Sequence, residues 1–222
     1  MVESFGRRMP GQFLLALVVL AALCGVAHAQ ADAKPIKLVA FGDSLTAGLG
    51  LPAASAFPAK LEAALRAKGY KVDVANAGVS GDTVADGLAR LDWSIPDGTD
   101  AAIVELGAND TLRGLDPKLA RSGLDEIVKR LQQRHVEVML AGMYAPRNLG
   151  PDYSAQFDPI YPDLAKTYNL VLYPFFLNGV ATDPKLNQAD GMHPTAAGVD
   201  IIVARILPTV EALLTKVSAQ HR

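Results

Sequence analysis

The stretch from Ile36 to Gly48, "IKLVAFGDSLTAG", changes character at Gly42: the mostly apolar run "IKLVAF" (36–41) gives way to a glycine-bounded turn carrying Asp43 and Ser44. A short apolar run closed by glycine reads as a buried strand, and whatever follows it lies at the strand's carboxyl end. Short apolar runs followed by glycine-, proline- or polar-rich turns recur in "KVDVAN" (71–76), "AAIVEL" (101–106), "VEVMLA" (136–141) and "LVLYP" (170–174). Each run is followed by a turn and then a helical pattern. The spacing predicts helices over 58–69, 83–91, 117–134, 158–168 and 194–217, with Pro58 and Pro194 as first helical residues and Gly69 as a stop. Strands apolar on consecutive positions, alternating with helices, predict a three-layer α/β/α sandwich around a five-stranded parallel sheet of flavodoxin-like order 2-1-3-4-5. In such sheets ligands bind at the carboxyl ends of the strands, near the switch between the first and third.

The N-terminus reads differently. Arg7 and Arg8 precede "FLLALVVLAALCGVA", which ends at "AHA" before Gln30, the pattern of a secretory signal over residues 1–29 cleaved after Ala29. The apolar run from Phe13 to Val26 is shorter than the roughly 20 residues a bilayer-spanning helix needs, so no stable membrane anchor is expected after cleavage. Leu23 stands where a lipoprotein signal needs a small residue before Cys24, and the surroundings of Arg7-Arg8 match twin-arginine export poorly. Cleavage removes the single cysteine, and with it any disulfide, and leaves one domain over residues 30–222. The charge shifts from 21 basic against 23 acidic residues to 19 against 22 once Glu3, Arg7 and Arg8 are gone. A chain so near neutrality, with no basic run, is not built to bind nucleic acid through phosphates.

The predicted carboxyl edge gathers "GDSLTAG" with Ser44, "NAGVSGDT" with Gly81, "ELGANDT" with Asn109, and "DGMHP" with Asp190 and His193. A serine hydroxyl becomes a nucleophile only beside a base that a third group orients. Of the four histidines, His28 lies in the signal, His221 in the last residues, and His135 at the opposite edge, before the fourth strand. His193 is the remaining base. Asp190 precedes it by three residues, with Gly191 between them, which brings the carboxylate within reach of the imidazole. The Ser44 amide, the Gly81 amide and the Asn109 side chain are the expected donors to an oxyanion, although spacing does not choose between Gly78 and Gly81. This chemistry calls for no cofactor and no metal. Asp43, Asp82 and Asp110, each at a strand end, raise a second reading, a metal-dependent phosphatase, because divalent cations favour clustered carboxylates.

The four blocks "FGDSLTAG", "NAGVSGDT", "LGANDTLRG" and "DGMHPTAAG" stand in order over essentially the whole chain after the signal, and in this the sequence resembles the SGNH, or GDSL, hydrolase family. It is most similar to the exported bacterial branch of arylesterases, acyl-CoA thioesterases and lysophospholipases. The resemblance implies hydrolysis of carboxylic esters and thioesters through an acyl-enzyme. It implies Ser44 as nucleophile, His193 as base with Asp190 its partner, and Gly81, in preference to Gly78, with Asn109 in the oxyanion hole. It also implies a small-molecule substrate with an acyl chain and a periplasmic or secreted enzyme, with transfer of the acyl group to an alcohol as an alternative on the same residues. The G-x-S-x-G elbow of the α/β-hydrolases is absent. The loop "MYAPRNLGPDY" after the fourth strand and the pair Phe175 and Phe176 after the fifth are apolar enough to line an acyl groove, with Leu112, Tyr144, Pro146 and Leu149 as expected contacts.

Overall fold

The computed structural model describes residues 1–2 and 34–220. The chain divides into two units at Pro35, and residues 36–222 carry every element below. Apart from Met1 and Val2, the expected signal and its cleavage point lie outside the described residues, as does His221.

Five parallel strands, β1 (Ile36–Gly42), β2 (Val72–Gly78), β3 (Ala101–Glu105), β4 (Glu137–Ala141) and β5 (Val171–Tyr173), lie in the order 2-1-3-4-5. The described helices are α1 (Ser44–Ala47), α2 (Phe57–Ala67), α3 (Val84–Ala89), α4 (Leu91–Ser94), α5 (Ala108–Leu112), α6 (Pro117–Gln133), α7 (Pro151–Phe157), α8 (Ile160–Tyr168) and α9 (Ala196–Gln220). α2 and α9 pack together on one face of the sheet, and α3, α6 and α8 cover the other. Central β3 is buried at all five positions, as a strand covered on both faces must be, whereas edge strand β2 is buried only at Val72.

Local chemistry sets the helix ends. Asp116 caps α6 by accepting from Lys118 N at 2.9 Å, and the stripe Ala120, Leu124, Ile127, Val128 and Leu131 faces the core. Three expectations are corrected. Pro194 does not open the last helix: it pairs with Asn187 in an antiparallel bridge, and Thr195 is the cap, its Oγ1 accepting from Gly198 N at 3.2 Å. The helix expected over 158–168 begins at Ile160, because Asp158 closes the preceding helix, its N–H donating to Ser154 O at 2.9 Å, while its carboxylate accepts from Ala145 N at 2.9 Å and Arg147 Nη1 at 2.7 Å. The segment before it, expected as loop, forms a 3-10 turn (Arg147–Leu149) and then α7.

The carboxyl ends of β1 and β2 are tied by Arg90, between α3 and α4. Its Nη2 donates to Gly42 O at 2.9 Å, Nη1 to Ala77 O at 2.9 Å and Ser94 Oγ at 3.0 Å, and Nε to Asp82 Oδ2 at 2.5 Å. The guanidinium also lies 4.4 Å from the centre of the Phe41 ring. Removing one partner of a buried pair leaves the other charge uncompensated, at a cost of about 3–5 kcal/mol. Arg90→Met is expected to lower the free energy of unfolding, read by urea denaturation, by an amount in that range; a loss below about 1 kcal/mol, the scale of an exposed pair, would show that the bonds around Arg90 are not what holds this edge.

Candidate active site

Ser44 follows the last residues of β1 as the first residue of α1, where its amide has no acceptor within the helix. Asp43 caps that helix, accepting from Leu45 N at 2.9 Å. Ser44 Oγ lies 2.8 Å from His193 Nε2, and His193 Nδ1 lies 2.7 Å from Asp190 Oδ2. A carboxylate only accepts, so it fixes the proton on Nδ1 and leaves Nε2 to receive the Ser44 hydroxyl. Asp190 Oδ1 accepts from the amides of Met192 at 2.9 Å and His193 at 3.0 Å. These bonds, with the imidazole, hold its pKa down at about 2, so it is charged at neutral pH.

The expected anion site lies beside this line. Gly81 has φ +91°, a conformation that favours glycine, and its carbonyl accepts from Arg113 Nη2 at 2.6 Å. Asn109 stands in α5, and its Nδ2 donates to Asp43 Oδ2 at 3.1 Å and to Asp82 O at 3.0 Å. Ser44, Gly81, Asn109 and His193 all line one groove of about 400 Å³. Leu112, Tyr144 and Pro146 line it as well, and Tyr144 stacks on Phe175, ring centres 4.9 Å apart. Leu149 does not line the groove: it sits half-buried in the 3-10 turn. Phe176 is likewise turned away, fully buried edge-on against Phe57. Met143, at the head of "MYAPRNLGPDY", lines it too, and residues that the sequence did not single out complete the wall, Leu49, Leu177 and Met192 among them. Met192, inside "DGMHP", carried a signal in its position next to His193; the others had none beyond being apolar.

The carboxylates that raised the metal reading are each engaged otherwise. Asp43 caps α1 and holds Asn109, Asp82 pairs with Arg90, and Asp110 Oδ2 accepts from Val84 N at 2.9 Å, at the start of α3. Burial pushes the pKa of Asp43 up to about 6 and raises that of Asp110. Beneath them lies Glu105, fully buried at the end of β3, a residue not singled out from the sequence. Its Oε2 accepts from Thr46 Oγ1 at 2.8 Å, while Oε1 has no hydrogen-bond partner among the described residues. Burial, and then the neighbouring Asp43, push the Glu105 carboxyl well above the usual range.

A hydroxyl, an imidazole and a carboxylate in one hydrogen-bonded line, at the switch point of a parallel sheet and beside an apolar groove, define the class: an α/β enzyme that hydrolyses ester bonds. The chain belongs to the GDSL-like Lipase/Acylhydrolase family, which it matches over residues 40–201. It is 40% identical over 182 residues to an arylesterase of Vibrio mimicus, covering 82% of this chain and 88% of that one. It is 39% identical over 158 residues to thioesterase 1/protease 1/lysophospholipase L1 of Escherichia coli, covering 71% and 74% of the two chains. The crystal structure of AlinE4, an SGNH-hydrolase family esterase, superimposes with a TM-score of 0.69 at 49% identity over 82% of this chain and 98% of that one.

The state of Glu105 has a consequence for stability. A carboxyl whose pKa is raised by folding keeps its proton in the native state after the unfolded chain has lost it, so its contribution to stability is present at low pH and falls as pH rises above about 4.3, the unfolded value. Glu105→Gln, which keeps the shape and cannot ionise, is expected to gain in melting temperature relative to the parent, by an amount that grows from pH 5 to pH 8. A difference that is constant or shrinks with pH would show that Glu105 is ionised in the folded protein.

Proposed function

We propose that the protein is an exported serine hydrolase that cleaves carboxylic esters and thioesters of an acyl chain through an acyl-enzyme on Ser44. The observation that carries this reading is the Ser44–His193–Asp190 line, with separations of 2.8 and 2.7 Å. In it, Ser44 Oγ attacks the carbonyl carbon as its proton passes to His193 Nε2, and Asp190 balances the imidazolium. The charge formed on the carbonyl oxygen meets the amides of Ser44 and Gly81 and the Asn109 side chain. Nδ2 of Asn109 is already held between two acceptors, and an oxyanion, stronger than the neutral carbonyl of Asp82, draws one of its protons. The proton on Nε2 then goes to the departing alcohol or thiol. Water repeats the sequence on the acyl-Ser44 carbonyl and releases the free acid.

The groove supports an acyl substrate: apart from His193, none of the residues lining it bears an ionisable carboxyl, amine or guanidinium. That the named relatives are an arylesterase and a thioesterase supports oxygen and sulfur esters alike. Export is supported by the sequence of residues 1–29, and no helix among the described residues is long and apolar enough to cross a membrane.

Ser44→Ala and His193→Ala are each expected to abolish hydrolysis of p-nitrophenyl esters and labelling by an alkyl phosphonate while leaving the melting curve intact. Asn109→Ala is expected to keep a residue of activity, reduced about 10²- to 10³-fold, the usual effect of one lost oxyanion donor. Wild-type turnover by Ser44→Ala would remove the mechanism. For export, amino-terminal sequencing of the mature protein is expected to start at Gln30, and an intact Met1 would refute it.

A further inference from the structure

Ser44 and His193 stand 149 residues apart in sequence, one on a helix tied to the sheet and the other on the loop between Leu186 and Thr195. Much of what holds that loop is its own neighbourhood. Thr195 N donates to Leu186 O at 2.8 Å, and Asn187 Nδ2 donates to Val180 O at 2.7 Å and Asp183 O at 2.8 Å. These bonds shape the loop without placing it against Ser44.

Gln188 crosses the gap. Its backbone amide donates to His193 O at 2.7 Å, and its side-chain Nε2 donates both to Pro194 O at 2.9 Å and to Leu49 O at 2.8 Å. Leu49 in turn donates its own N–H to Ser44 O at 3.1 Å. One amide therefore joins the backbone around the histidine to the backbone around the serine. Its orientation follows from chemistry, since both partners are carbonyl oxygens and only a nitrogen with two protons satisfies them. The opposite side of the contact is shaped to admit it: Gly50 has φ +76°, and a Cβ there would stand 2.3 Å from Gln188 Oε1. Gln188 does not line the groove.

We propose that Gln188 is a positioning residue for the reaction, a clasp that sets the Ser44 Oγ to His193 Nε2 separation by binding the Leu49 and Pro194 carbonyls at once. It acts on proton transfer from the nucleophile rather than on substrate binding. The proposal rests on Ser44 and His193 being nucleophile and base.

The test compares Gln188→Ala, Gln188→Glu and Gly50→Ala with the parent enzyme in three measurements: kcat and KM on p-nitrophenyl butyrate, the second-order rate of labelling by an alkyl phosphonate, and the melting temperature. A misplacement on the ångström scale costs up to about 10²-fold, so Gln188→Ala is expected to lower kcat and the labelling rate together by about 10- to 100-fold with KM within about twofold. Gly50→Ala, which displaces the same amide, is expected to show the same split. Glu at 188 sets a carboxylate against two carbonyl oxygens and regains a donor only when protonated, so the ratio of its labelling rate to that of the parent is expected to rise as pH falls. A Gln188→Ala labelling rate within about twofold of the parent, or a loss that follows the melting temperature with KM rising alongside, overturns the clasp. Ser44→Ala separates the two claims. If it labels at the parent rate, the nucleophile reading falls and the clasp with it; if it is inert while Gln188→Ala labels normally, the clasp alone is wrong.

Discussion

The carboxyl ends of β1 and β2 are held together by a buried guanidinium. At the ends of β1 and β2, Gly42 O and Ala77 O both accept from Arg90, and Gly42 O also accepts from Val79 N at 3.0 Å. Taking a charge out of water is costly unless it is paired and its protons are satisfied. Asp82, Ser94 and the face of Phe41 meet that requirement. Because Gly42 leads directly into Asp43 and Ser44, and Asp82 directly follows Gly81, one side chain holds the serine turn and the proposed anion site in a common frame.

The aspartates of the first three blocks belong to the same economy. In each case a carboxylate binds the start of a helix or the cation that ties the strands: Asp43 at α1, Asp110 at α3, Asp82 at Arg90. Their proximity, which from the sequence suggested a cation between them, goes with separate structural partners: a helix-start amide for Asp43 and for Asp110, a guanidinium for Asp82. Glu105 lies under all of this with one oxygen unpartnered, which is tolerable for a carboxyl that keeps its proton and would be costly for a buried anion.

How much of this was legible in the sequence divides by range. The five strands and their order, and the segments that reach one edge, follow from apolar runs punctuated by glycine, a local pattern. So do Ser44, Asp190 and His193, because the histidine census leaves a single base and its acid lies three residues away. α7 was missed because "NLGPDY" opens with turn residues, and Leu149 was misplaced with it, since the fold of that segment is set by Asp158 reaching back to Ala145 and Arg147. Arg90, Glu105 and Gln188 had no local signature at all. Arg90 reaches Gly42 across 48 residues, Glu105 reaches Thr46 across 59, and Gln188 reaches Leu49 across 139. Pairings of that range exist only once the sheet order has brought the segments together.

A division of labour follows from where each group is anchored. The serine and the proposed oxyanion donors stand on or beside strands and helices, so their relative placement is inherited from the core. The histidine and its aspartate share a loop with no strand of its own, in which Asp190 fixes the ring against its own backbone through Oδ1 and against the imidazole through Oδ2. That ties the proposed acid–base pair together internally while leaving its distance to Ser44 to hydrogen bonds between loops. A single-loop pair of this kind differs from a triad whose acid and base come from two loops, where relative motion would disturb both contacts at once. Within the proposed triad, the contact exposed to such motion is the one from Nε2 to Oγ, across which the proposed mechanism passes the proton.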